Sequence, residues 1–111
     1  MEGLVRGDIV VVSFPFTDLR QSKRRPALVL AVLPRQDTVI CQITSQPFGH
    51  PHALAIDGSD YVEGLGRLSR ESFILPHRLV TASAMLFERV AGRLKREKVN
   101  AAARKVFEIL S

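Results

Sequence analysis

A single cysteine, Cys41, stands among the 111 residues, so no intramolecular disulfide framework holds this chain together. With one cysteine and three histidines, a Cys-rich zinc site is excluded as well. No apolar run approaches the roughly 18 residues that a membrane span requires. The opening Met1-Glu2-Gly3-Leu4-Val5-Arg6 lacks the apolar stretch of a secretion signal, which leads to the expectation of a cytoplasmic domain without a membrane anchor. Neither an internal repeat nor a linker interrupts the chain, and its length suits one core. What is present is an ordinary globular balance, 46% hydrophobic and 24% charged, which argues against disorder throughout. The formal charge of +5 points to an anionic partner: nucleic acid, an acidic protein segment or a membrane surface.

The patterning is β through most of the chain. Ile9–Phe14 is rich in β-branched and aromatic residues and is stopped by Pro15, which predicts a strand covered on both faces. Thr17 to Arg25 has no apolar period and reads as a long connecting loop. Ala27–Leu33 and Thr38–Ile43 are the next strands, joined by a turn at residues 34–37. A Pro/Gly loop spans Gln46 to His52, and short β candidates follow at Ala53–Ile56, Ser72–Leu75 and Arg78–Ala82. Many short strands joined by such turns predict a compact barrel or a strongly bent sheet. Ala84–Phe87 suggests one helical turn. From Arg96 to Leu110, the residues Val99, Ala102, Ala103, Val106, Ile109 and Leu110 form one stripe of an amphipathic helix that lacks a clear cap at Lys95.

Two features carry chemistry. Arg25 stands directly before Pro26 at the head of one predicted strand, and Thr44-Ser45-Gln46 closes the next. In a hairpin these two ends lie side by side, placing a guanidinium beside a hydroxyl. The guanidinium fork donates to two oxygens at once and keeps its charge, so the pair suits a phosphodiester.

In order, Gly7-Asp8-Ile9-Val10, Phe14-Pro15-Phe16-Thr17-Asp18, Lys23-Arg24-Arg25-Pro26-Ala27-Leu28-Val29-Leu30 and Cys41-Gln42-Ile43-Thr44-Ser45 resemble the MazF/PemK toxins of type II toxin–antitoxin systems. The resemblance covers most of the chain and weakens through Asp57–Arg70. It implies a mainly β fold, an SH3-like β-barrel with a C-terminal helix, assembled as a homodimer. It implies metal-independent cleavage of single-stranded RNA, chiefly messenger RNA, with no cofactor, blocked by an acidic cognate antitoxin. By position, Arg25 and Thr44 take the catalytic places. Cleavage would proceed by attack of the ribose 2′-hydroxyl on the adjacent phosphorus, leaving a 2′,3′-cyclic phosphate and a 5′-hydroxyl. Lys23, Arg24, Phe16, Ser45 and Gln46 are the expected RNA contacts. The tandem Arg24-Arg25 and the glycine-poor loop depart from the family's common pattern, so which arginine dominates stays open.

Each residue also has a plainer reading. Arg25 is open to being a solvated loop end, and Thr44 a strand-end hydroxyl that bonds nearby backbone. Lys23-Arg24 is open to being a solvated patch, and Phe16 and Phe48 to core packing rather than base stacking. His50 and His52 point the same way in an extended segment and offer an acid–base pair or simply a solvated loop. Cys41 in an apolar strand reads as a small buried hydrophobe. The basic run Arg89, Arg93, Lys95, Arg96 and Lys98 reads as a solvated face at the start of the helix. The rival functions are non-catalytic binding proteins of similar fold: a CcdB-like gyrase poison or an RNA-binding module.

Overall fold

The apolar runs do form strands. The computed structural model describes residues 1–14 and 23–111. Its elements are β1 (Asp8–Phe14), β2 (Lys23–Val32), β3 (Asp37–Thr44), β4 (Leu54–Ile56), β5 (Ser72–Ser83), β6 (Phe87–Arg93) and α1 (Arg96–Leu110). Single 3-10 turns lie at Pro34–Gln36, Gly58–Asp60 and Ala84–Leu86, the last where one helical turn is expected. The six strands make one antiparallel sheet in the order β4-β5-β3-β2-β1-β6.

Alternation sends residues of each strand to two different cores. Ile9, Leu28, Cys41, Ile43 and Ile74 pack on one face, where Leu94, Val99 and Ala102 at the start of α1 cover them. Val10, Val12, Ala27, Val29 and Ile40 pack on the other, under Ala84 and Phe87. This is why β1 and β2 read as apolar on both faces.

The edge strands β4 and β6 do not pair with each other, so the ladder is a bent sheet rather than a closed barrel. Beyond β4, however, the chain reaches the far edge. The Val62 N–H donates to Arg93 O at 2.8 Å, the Lys95 N–H to Asp60 O at 2.8 Å, and Tyr61 bridges Leu94. Here two backbones lie nearly in contact: a Cβ on Gly92 would sit 2.7 Å from Gly66 O, which no real side chain does.

Three expectations need correction. β2 begins at Lys23, so Lys23, Arg24 and Arg25 belong to a strand and not to a loop. Ser72–Leu75 and Arg78–Ala82 are parts of one strand. Arg89 and Arg93 lie on a sixth strand that the composition hides, rather than at a helix start. The remainder of the expected loop, with Phe16, lies outside the described residues.

Arg93 has a structural duty on that strand. Its Nε donates to Asp8 Oδ1 at 2.7 Å, and the Val5 N–H donates to Asp8 Oδ2 at 2.9 Å. Asp8 is 2% exposed, so this carboxylate fastens β1 to β6 from inside. Asp8→Ala is expected to lower unfolding stability by about 2 kcal/mol, the scale of a hydrogen bond to a charged group. Urea titration measures it; an unchanged midpoint would show that the pair contributes nothing.

Candidate active site

The β2–β3 register pairs Ala27 with Gln42. Arg25 and Thr44 each lie two residues beyond that last rung, one near the start of β2 and the other at the end of β3. Pro26 intervenes and has no N–H to donate, and the β2–β3 pairing ends at Ala27. The strands therefore part where the two side chains sit. Arg25 and Thr44 both line a cavity of about 510 Å³ and an adjoining one of about 220 Å³. Arg25 and Thr44, expected side by side, thus line the same two cavities.

Thr44 is 8% exposed. Its hydroxyl accepts the Gln46 N–H at 3.1 Å and makes a longer contact, 3.4 Å, to Gln46 O. The backbone bonding foreseen in the plainer reading thus exists, and it also holds Oγ1 at the cavity edge. Arg25 is half-buried and has no ion-pair partner among the described residues. Arg24 differs: its Nε lies 3.0 Å from Glu88 Oε1, and it lines only the smaller cavity. Ser45 joins Arg24 in the smaller cavity and Gln46 lines the larger. Lys23 lines neither, and Phe16 lies outside the described residues.

Several lining residues carried no signal in the sequence reading. Arg70 enters the smaller cavity from the end of the segment, Asp57–Arg70, where the resemblance weakens. His77 and Arg78 enter the larger one through an irregularity in β5. Cys41 pairs with Leu79 but Gln42 pairs with Leu75, so residues 76–78 bulge out of the ladder. Bulges re-aim side chains beside functional sites, and a bulge is where a strand tolerates proline. A proline followed by histidine and arginine inside an apolar run was the available clue.

The bulge brings His77 against the Pro/Gly loop. The His77 and His50 rings stack with centroids 3.6 Å apart and planes 4° apart. His50 Nδ1 accepts the His52 N–H at 3.1 Å, so the adjacent pair foreseen as acid and base is a local turn, its ring centroids 5.6 Å apart. Burial first, and then the electrostatic influence of His50, Arg78 and His52, hold the His77 imidazole below its ordinary range. Both causes favour the neutral ring. Burial pushes the Cys41 thiol up to about 12, so it is no nucleophile. Phe48, 89% exposed and at φ 51°, stands at the cavity rim instead of in the core.

Arg24, Arg25, Arg70 and Arg78 surround the two cavities, and no carboxylate lines either of them among the described residues. Such a surface attracts a polyanion and offers hydrogen-bond donors to phosphate oxygens. A separate cavity of about 460 Å³, between residues 58–67 and Lys95, includes Glu63 and neither Arg25 nor Thr44.

The same fold occurs in solved structures at low identity. The MazE–MazF complex from Deinococcus radiodurans is 18% identical with a TM-score of 0.74, covering 96% of this chain and 95% of that one. The Mycobacterium tuberculosis toxin MazF-mt6 is 19% identical with a TM-score of 0.69, covering 93% and 95%. A mycobacterial endoribonuclease in complex with its cognate antitoxin is 14% identical with a TM-score of 0.71, covering 99% and 95%. No curated protein matches the chain. Residues 5–110 match the family model described as PemK-like, MazF-like toxin of type II toxin-antitoxin system. The chain belongs to that family of toxins.

Proposed function

We propose that this toxin is an endoribonuclease that cleaves single-stranded RNA, messenger RNA included, without a metal ion. The observation that carries the reading is the convergence of Arg25 and Thr44 on an arginine-rich cavity that no carboxylate lines among the described residues. RNA supplies its own nucleophile in the 2′-hydroxyl, so the protein has only to align that oxygen and stabilise charge on phosphorus. Arg25 holds the non-bridging oxygens through its fork, and Thr44 donates a third hydrogen bond to the same phosphoryl group. The Gln46 N–H on Oγ1 supports this by fixing the oxygen while leaving the hydroxyl hydrogen only its long 3.4 Å contact. Products are a 2′,3′-cyclic phosphate and a 5′-hydroxyl. Arg24, Arg70, Ser45 and Gln46 track the flanking backbone, and Phe48 offers a face to an unstacked base.

The proposed protein partner is an acidic antitoxin, which suits a chain of charge +5 and the two neighbouring structures described as antitoxin complexes. Assembly is proposed as a homodimer in the cytoplasm; exposed Phe107 and Leu110 on α1, and Met85 and Leu86 beside β6, supply apolar surface.

Purified protein is expected to cut a long defined transcript in the presence of EDTA. Cleavage that appears only on adding a divalent ion would overturn the mechanism. Thr44→Ala is expected to lose about 10²-fold in rate, the usual scale for one donor to a developing oxyanion. A wild-type rate in that variant would remove Thr44 from the site.

A further inference from the structure

The reaction needs a group to take the proton from the 2′-hydroxyl, and neither Arg25 nor Thr44 suits that task. Arginine, with a pKa above about 12, does not give up its proton near neutral pH, and a threonine hydroxyl is no better. Among the described residues lining the larger cavity, the imidazoles of His50 and His77 are the side chains of a type suited to take a proton near neutral pH. Their surroundings separate them. His50 Nδ1 is occupied by the His52 N–H, so the neutral ring carries its proton on Nε2 and presents a donor. His77 has no hydrogen bond to either ring nitrogen among the described residues, and its Nδ1 is enclosed. Nε2 is then the nitrogen left to meet a substrate.

We propose that His77 is the general base of RNA cleavage in this chain, with His50, stacked on its face, as a positioning residue. The role rests on the endoribonuclease reading and adds to it the missing proton acceptor. In the step, the 2′-O–H bond breaks and its proton passes to His77 Nε2 as the 2′-oxygen bonds to phosphorus. The P–O5′ bond breaks, the leaving 5′-oxygen takes a proton from solvent, and His77 later returns its own to solvent. The charged and titratable groups around the imidazole are His50, His52, Arg78 and, across the cavity, Arg25. All of them disfavour a second positive charge, so His77 stays an acceptor down to mildly acidic pH.

The test is the rate of cleavage of a chimeric oligonucleotide with one ribonucleotide, measured from pH 5 to 8. For the wild type, kcat is expected to fall on the acid side with an apparent pKa below the ordinary histidine value of about 6.5. His77→Gln is expected to lower kcat by about 10²- to 10³-fold with little change in KM, and to lose the acid limb. Free imidazole should restore part of the rate in His77→Ala. His50→Ala should move the acid limb toward higher pH, because it exposes His77 to solvent, while His50→Phe, which keeps the stacked ring, retains most of the rate. A flat wild-type profile, or full activity with an acid limb in His77→Gln, would overturn the assignment and leave the nuclease standing. A wild type that cleaves no RNA would instead remove the nuclease reading, and this role with it.

Discussion

Arg25→Ala is expected to abolish RNA cleavage, by about 10³-fold or more, in a protein that folds as before. One lost donor to a developing oxyanion typically lowers the rate about 10²- to 10³-fold, and this change removes two donors together with a full charge. The fold should tolerate it. Arg25 is half-buried, lies at the open end of the β2–β3 pair and has no ion-pair partner among the described residues to be stranded. Arg25→Lys separates charge from geometry: it keeps the cation and loses the fork, and should recover only part of the activity. Initial rates on a labelled oligonucleotide, beside thermal melts, decide the matter. If Arg25→Ala still arrests growth in cells, the activity belongs to a binding protein of this fold and not to a nuclease.

The largest effect on stability is expected from Ile74→Ala, a loss of about 2 to 5 kcal/mol. Ile74 is fully buried, pairs with Ile43 on β3 and Leu54 on β4, and belongs to the core that α1 covers. A domain of this kind is stable by only about 5 to 15 kcal/mol, so the variant should unfold at markedly lower urea. Ile74→Val, which removes one methylene, should cost about 1 kcal/mol. A loss below about 1 kcal/mol for the alanine variant would mean that the core closes over the gap, and that β4 is not anchored through this contact.

Local signals account for much of what the chain disclosed before any coordinates. The helix at Arg96–Leu110 has both ends where the stripe and the missing cap put them. Its stripe was less faithful at the far end, where Leu110 is 76% exposed. The hairpin geometry that brings Arg25 and Thr44 to the same cavities followed from two apolar runs and a short turn. β6 did not follow, since Phe87-Glu88-Arg89-Val90-Ala91-Gly92-Arg93 has a glycine and three charges and is a strand because β1 pairs with it. The His50–His77 stack was equally hidden. Its members come from a loop and a distant strand, and no periodicity relates position 50 to position 77. The expected partner, His52, was near in sequence and wrong in space.

Because β5 is out of step by three residues between its two paired halves, positions 77 and 78 answer to no opposite neighbour on β3. Replacement there removes no rung of the β3–β5 ladder. Variants of this scaffold can therefore drift in what they do to a bound nucleotide while keeping the same architecture, a separation that a regular ladder would deny them.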